Sequence, residues 1–452
     1  MSPSDAFKPC DVRGRYPEAV NERLFWAIGR ALACRYPGPR SLLLAGDVRA
    51  STPPLLDALW AGLGRPQATV LSPLATPAAY FVGRELNADL TLIVTASHNP
   101  PAYNGLKLLA SSGRPPSPEE WGDLQSATEA LLDTSSGPTD VGTAPRAAVD
   151  PWLDQYCEAL LRLCGPSGGL RVVVDPGNGS LCRVAASALR QAGHHVLEIN
   201  AEPDGSFPAR GPDPTAPGAL AGLASAVVRA GADLGVAFDG DGDRVVFVDE
   251  TGQVAPGDVA AGLLALEAIE RAPRAPVILD VRASRTLASA LEAQGARLAW
   301  SYPGHALIRA QLLEQGAAFG GEISGHYFFA ELGGDDGLYA ALRLARLVAE
   351  KGHLSALAAA LPRGHTLNEV RLPFEGPADP VLDALEAAFP EAVADRRSAG
   401  LVLEWQGQWA LVRPSITEPL LTVRGESSSP DGLRQLIAQL DGVLQRFGLT
   451  LI

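Results

Sequence analysis

Lysine is almost missing from this 452-residue chain: of its 37 basic residues only Lys8, Lys107 and Lys351 are lysines, and the rest are arginines. Basic residues as a whole are outnumbered by 51 acidic ones, leaving a net charge of −14. Duplex nucleic acid and anionic membranes both attract basic faces, so neither is expected as a partner. A local cluster of arginines for a small phosphate is still compatible with that balance. Cysteine is sparse and odd in number. Cys10, Cys34, Cys157, Cys164 and Cys182 form no C-x-x-C pair, which argues against a zinc site or a disulfide framework. No apolar run approaches the roughly 20 residues of a membrane helix. The opening Met1-Ser2-Pro3-Ser4-Asp5 has neither the basic nor the apolar region of a secretion signal, so a soluble, cytoplasmic protein is expected.

What is present is a globular composition, 46% hydrophobic and 19% charged. At about 100–200 residues per domain the length predicts two to four domains. One pattern recurs three times. Leu42–Asp47, Val172–Asp175 and Val277–Asp280 are apolar β-type runs ending in aspartate. Each is followed by a helix-like stretch and a second apolar segment: Ala88–Val94, Ala232–Phe238 and, more weakly, Ala317–Phe319. These open into the polar loops Thr95–Pro100, Asp239–Arg244 and Gly321–His326. The repetition predicts three related mixed-sheet α/β domains, each presenting a loop at the C-terminal end of a strand, where ligands bind in such sheets. Pro-, Gly- and Ser-rich stretches place the domains at 1–145, 146–252 and 253–365. Residues 366–452 read as a smaller α+β domain, with a hairpin of Leu401–Trp405 and Trp409–Val412 around Gln406-Gly407-Gln408 and a helix over Asp431–Phe447.

Asp239-Gly240-Asp241-Gly242-Asp243-Arg244 carries the strongest chemical signal. Three carboxylates at alternate positions can turn inward around one hard cation, and their mutual repulsion calls for one. Glu250 stands at the twelfth position of a would-be calcium loop, but Arg244 takes the place where such a loop needs glycine, and both flanks read as strands. Magnesium beside a phosphate suits the set better. Thr95-Ala96-Ser97-His98-Asn99-Pro100 offers a serine next to a histidine, which alone is ordinary turn chemistry. Gly321-Glu322-Ile323-Ser324-Gly325-His326 offers a carboxylate and a hydroxyl suited to vicinal sugar hydroxyls. Arg413-Pro414-Ser415-Ile416-Thr417-Glu418-Pro419, with Arg424 on the next segment, can cradle a phosphate through charge-assisted and backbone hydrogen bonds.

Taken together, these loops resemble those of the α-D-phosphohexomutase superfamily, most closely its bacterial phosphomannomutase/phosphoglucomutase branch. The likeness covers nearly the whole chain in the family's order. Phe7-Lys8-Pro9-Cys10-Asp11-Val12-Arg13-Gly14 is similar to its F-x-x-Y-D-I-R-G motif, and Gly46–Ser51 to its G-x-D-x-R-x-S segment. The resemblance implies that Ser97 is a phosphoserine that gives and takes the phosphoryl group. It implies that Asp239, Asp241 and Asp243, with a Ser97 phosphate oxygen, hold Mg²⁺. Glu322 and Ser324 would bind sugar hydroxyls; Arg13, Arg413, Ser415, Ile416, Thr417 and Arg424 would bind substrate, the last five at its non-reacting phosphate.

The reaction implied interconverts hexose 1-phosphate and hexose 6-phosphate of glucose and mannose through a hexose 1,6-bisphosphate, which also serves as primer. Its partners would then be small hexose phosphates, with the protein a monomer or homodimer. The acid/base work is open among His98, Lys107, Arg244, His305 and His326; Lys107 enters because a lysine sheds its proton more readily than an arginine. Three departures stand out: Cys10 replaces the usual Tyr, Ile416 a small polar residue, and Arg282 lies near where relatives often have Lys. Ile323 favours the glucose/mannose branch over phosphoglucosamine mutases, which usually have Gln there. Phosphoglucosamine mutase is the alternative within the family; a non-catalytic sugar-phosphate- or calcium-binding protein is the alternative outside it.

Overall fold

Leu42-Leu43-Leu44-Ala45 offers no polar side chain to water on either face, so the strand it forms belongs in the middle of a covered sheet. The computed structural model places it there; it describes residues 3–37, 41–135, 137, 141–396, 400–415 and 419–451. Leu42–Gly46 is buried throughout and is paired in parallel with Thr69–Leu71 on one side and Leu90–Val94 on the other. Arg171–Asp175 sits in the same way between His195–Glu198 and Leu234–Phe238, and Pro276–Asp280 between Arg297–Ser301 and Phe319–Gly321. In each unit one further strand returns antiparallel: Tyr103–Ala110, Val245–Asp249 and Tyr327–Phe329. The turn into that returning strand is the polar loop singled out in the sequence. The three loops therefore occupy equivalent positions, as the repeat predicts.

A continuous apolar core runs through all three units, joining Leu43 and Ile93 to Val172 and Phe238 and on to Leu279 and Phe319. The C-terminal part differs. Its sheet is antiparallel, ordered His365–Pro373, Leu420–Ser427, Gln408–Pro414, Leu401–Trp405, Val393–Asp395, and it keeps a core of its own around Leu385, Leu403, Leu421 and Leu440. The expected hairpin is present, one residue tighter: Trp405 pairs with Gln408, and Gln406 and Gly407 turn the chain at φ 38° and 77°. The last helix runs Pro430–Leu444, and Gln445–Phe447 continues it as a 3₁₀ turn.

A buried carboxylate, Glu426, is central to the junction between the C-terminal sheet and the third unit, alongside an apolar contact of Val281 with Val402, Trp409 and Leu411. Glu426 accepts from Ser284 Oγ (2.9 Å), Arg285 N (3.0 Å), Thr286 N (3.2 Å) and Trp409 Nε1 (2.9 Å). It thus caps the N-terminus of the helix Arg285–Ala293 from across the interface. Arg285 packs between the rings of Trp300 and Trp409 at 3.8 and 4.7 Å. Burial alone would raise the Glu426 pKa, but the bonds from Thr286, Trp409 and Ser284 outweigh it and hold it below the ordinary glutamate value. A depressed carboxylate contributes stability that is complete above its unfolded pKa and is lost as pH falls through the folded one. We expect Glu426→Gln to weaken this interface by about 2 kcal/mol, because any amide orientation turns an N–H toward a donor. Limited proteolysis near residue 365 should show faster cleavage in the variant at pH 7, and the difference should shrink below the ordinary glutamate pKa. Equal cleavage rates at pH 7 would refute the clamp.

Candidate active site

Each of the three equivalent loops is placed by the buried strand that precedes it, and side chains from all three meet. Ser97 follows Leu90–Val94 and adopts φ 49°, a left-handed conformation rare outside glycine. Its Oγ donates to Asp239 Oδ2 at 2.7 Å. Gly240 lets the two loops approach this closely: a Cβ there would come within 2.7 Å of the Ser97 carbonyl oxygen. Asp239 Oδ1 accepts from the N–H groups of Gly242 (3.0 Å) and Arg244 (3.2 Å), which folds the Asp-Gly-Asp-Gly-Asp turn inward.

Asp239, Asp241 and Asp243 are buried, and one carboxylate oxygen of each lies within 4.8 Å of the others. Burial, then the charges of Asp243 and Asp241, pushes the Asp239 pKa well above the ordinary carboxylate value. Asp241 goes the other way: burial would raise it, but Lys107 Nζ at 2.8 Å and Thr76 Oγ1 at 2.7 Å hold it well below. Asp241 Oδ1 and Asp243 Oδ1 are buried with no hydrogen-bond partner. Hard oxygen donors, two of them unsatisfied, in a site crowded with negative charge fit a divalent cation. The calcium-loop alternative is not built: Glu250 turns to the hydroxyl and N–H of Ser355, and the flanks are strands.

Lys107 is part of this cluster. Its ammonium is buried between Asp241 and Asp243. Burial pushes its pKa down, but the two carboxylates outweigh that and hold it well above the ordinary lysine value. The histidines differ. Arg244, more than burial, lowers the His98 pKa well below normal, and burial, then Lys107, does the same to His305. His98 Nδ1 is 3.4 Å from Ser97 Oγ. His326 Nε2 accepts from Arg244 Nε at 2.8 Å while Nδ1 bonds Asp335 Oδ2 at 2.8 Å, so the Nδ1–H tautomer fits. With both ring nitrogens engaged, His326 is not free to join Asp243 and Asp335 as a second metal site, although the three lie close together. The rings of His305 and His326 stack at 6.2 Å.

The third loop turns on Glu322. Its Oε1 accepts from Ser324 Oγ and from Arg282 Nη2 (3.2 Å), and its Oε2 from Gly304 N at 3.1 Å, just before the helix that begins at His305. Burial would raise its pKa, but Arg282 brings it down to about 2, so it stays ionised and acceptor-only. Arg282 is itself gripped by Asp280, the aspartate that ends the third repeat strand. Burial and the Arg282 charge lower the pKa of Arg413, which stands on the strand Gln408–Pro414 of the C-terminal sheet. Arg413 and Arg424 each keep a buried Nε without a hydrogen-bond partner, and both are half-buried. Ser415 ends the described part of this loop; Ile416 and Thr417 lie outside the described residues. Arg13, in the first strand, donates to the Ala96 carbonyl, to Asn99 Oδ1 (3.0 Å) and to Asp11 (3.0 Å), so it braces the Ser97 loop.

Sequence reasoning missed Thr76, Asp335 and Arg49. Thr76 and Asp335 carry no local motif, because they reach the site only by folding. Arg49 lay inside the Gly46–Ser51 segment but was given no role.

Three equivalent α/β units bringing their loops to one cleft, with a separately cored fourth sheet at its edge, define the α-D-phosphohexomutase class of fold. The family described as phosphoglucomutase/phosphomannomutase, alpha/beta/alpha domains I, II and III, matches residues 4–132, 154–252 and 256–364 respectively. Similar proteins include a phosphomannomutase/phosphoglucomutase of Pseudomonas putida, 32% identical over 96% of this chain and 94% of that protein. A phosphoglucomutase of Neisseria meningitidis is 30% identical over 98% and 97%. A crystal structure of a phosphoglucomutase/phosphomannomutase family protein from Burkholderia thailandensis superposes with a TM-score of 0.87 at 31% identity, covering 99% of this chain and 98% of that one. The chain belongs to the phosphoglucomutase/phosphomannomutase family.

Proposed function

We propose that this protein interconverts the 1- and 6-phosphates of glucose and of mannose, with Ser97 as the phosphoryl carrier and a hexose 1,6-bisphosphate as intermediate and primer. The observation that carries the reading is Ser97 Oγ held 2.7 Å from Asp239 at the edge of a carboxylate cluster suited to a cation. Asp239, Asp241 and Asp243 would hold Mg²⁺, which would offset the charge that builds on the transferring phosphoryl group.

The chain's own residues do the rest. In the first half-reaction the bond between phosphorus and Ser97 Oγ breaks, and a bond forms to O6 or O1 of the bound sugar phosphate. The proton of that hydroxyl passes to a base in the cleft. The candidates for that base are Lys107, Arg244, His98, His305 and His326; His98 Nδ1 lies 3.4 Å from Ser97 Oγ, whereas both ring nitrogens of His326 are engaged, by Asp335 and by Arg244. Glu322 accepts from sugar hydroxyls, aided by Ser324. Arg413, Arg424 and Ser415, together with the adjoining loop, hold the phosphate that is not reacting. The bisphosphate then turns over in the cleft and returns its other phosphate to Ser97. One fixed nucleophile thus serves both ends of the sugar, which is why one loop set must recognise either phosphate in turn.

Ile323, the residue from which the sugar is inferred, is half-buried and packs against the main apolar core. That environment suits an apolar side chain rather than the amide of glucosamine-specific relatives. The test is direct. Purified protein with Mg²⁺ and a trace of glucose 1,6-bisphosphate should convert glucose 1-phosphate and mannose 1-phosphate to their 6-phosphates, followed by ³¹P NMR. A kcat/KM on glucosamine 6-phosphate above both would overturn the sugar assignment; no conversion of any hexose phosphate would overturn the activity.

A further inference from the structure

We infer that Arg49, a residue that reaches no substrate, is a positioning residue for phosphoryl transfer: it holds the Ser97 peptide in the one conformation from which Oγ faces Asp239. The inference rests on the reading of Ser97 as phosphoryl carrier.

Every N–H of the Arg49 guanidinium is committed, and four of the five go to backbone carbonyls of the loop that carries Ser97. Nη2 donates to the carbonyls of Ser97 (2.8 Å) and Asn99 (2.6 Å), and Nη1 to those of Pro100 (2.7 Å) and Tyr103 (3.0 Å). Nε donates to Asp47 Oδ2 at 3.0 Å. The same Asp47 oxygen accepts from Thr95 Oγ1 at 2.7 Å, and Thr95 Oγ1 in turn accepts from the Ser97 N–H at 2.9 Å. The hydrogen bonds therefore close a ring: Ser97 N–H to Thr95, to Asp47, to Arg49, and back to the Ser97 carbonyl. Both ends of the strained residue are pinned by one circuit.

The strain gives the circuit its purpose. A non-glycine residue at φ 49° is sterically disfavoured. Relaxation toward ordinary backbone angles would swing Oγ away from Asp239. Arg49 is 1% exposed, its guanidinium carbon lies 5.0 Å from the centroid of the Phe207 ring of the second unit, and a Cβ on Gly205 would come within 2.4 Å of the Val48 carbonyl. The circuit is thus clamped against the unit that carries Asp239, so it fixes the two reacting loops relative to each other. A lysine could supply only three donors from a point charge and could not span four carbonyls.

Such a residue should act on turnover and not on substrate affinity, because other loops hold the sugar and the remote phosphate. Arg49→Lys should be loaded with glucose 1,6-bisphosphate, its phosphate at Ser97 counted by intact mass, and kcat expressed per phosphoserine. We expect kcat to fall about 100-fold, the size of effect a displacement of about 1 Å produces, with KM for glucose 1-phosphate within about threefold of wild type. Thr95→Val, which opens the ring at another point while leaving the arginine in place, should show the same split. If Arg49→Lys does not accumulate as folded protein, Thr95→Val decides alone. Wild-type kcat per phosphoserine in a folded variant would overturn the inference, as would a loss confined to KM. Turnover by Ser97→Ala would instead overturn the carrier assignment, whatever Arg49→Lys does.

Discussion

Ser97→Ala is expected to reduce hexose phosphate interconversion by about 10⁴-fold or more, with no recovery on adding glucose 1,6-bisphosphate. The carrier oxygen is the atom through which both half-reactions pass, and no other hydroxyl described in the cleft is placed against the Asp239 carboxylate. The fold should survive the change. Alanine meets the same left-handed conformation as serine, and the Arg49 and Thr95 bonds engage the backbone, not Oγ. Intact mass should show one covalent phosphate on wild type after incubation with the bisphosphate and none on the variant. Phosphate at any other residue, or undiminished turnover by Ser97→Ala, would refute the mechanism.

The second large effect is expected at the carboxylate cluster. Asp241→Asn keeps the shape of the side chain and can keep the bond from Thr76, but it removes one of three clustered charges and the stronger part of the Lys107 contact. Activity should fall at least about 100-fold, as a lost electrostatic contact to the transition state commonly costs. A readout independent of turnover comes from binding linkage: a cation that binds the folded state raises its melting temperature with concentration. Wild type stripped with EDTA should gain melting temperature as Mg²⁺ is added, and Asp241→Asn should gain little or none. An unchanged rate with an unchanged Mg²⁺ response would remove Asp241 from the cation site.

The sequence carried a large share of this. The threefold repeat was legible because buried central strands must be apolar on both faces, and each such run ends in aspartate. Three of the four loops were legible because their residues are contiguous and their chemistry is unusual: three carboxylates in five residues, a Glu and a Ser between glycines, an arginine-led turn; the Ser97 loop, ordinary by itself, took its role from the family resemblance. Lys107 was legible as a rarity. Proximity in a motif indicated a role near Ser97, whereas the sign of its pKa shift depended on Asp241 and Asp243, which stand more than a hundred positions along the chain.

The scarcity of lysine therefore has a structural meaning only in part. Arg49 and Arg282 sit where several acceptors must be met at once, Arg49 with four carbonyls and a carboxylate, Arg282 between Asp280 and Glu322. A planar fork does that and an ammonium does not. At position 107 the demand is a compact charge between two carboxylates, and there the chain has lysine. By itself the sequence determined the fold class, the order of the loops and the chemical type of each, because those follow from local pattern and residue chemistry. The tertiary structure alone decided which charges offset which, why a serine stays in a left-handed conformation, and how Glu426 joins the last sheet to the third unit. Electrostatic coupling and hydrogen-bond closure depend on distances of a few ångströms between residues far apart in the chain, and only folding sets those distances.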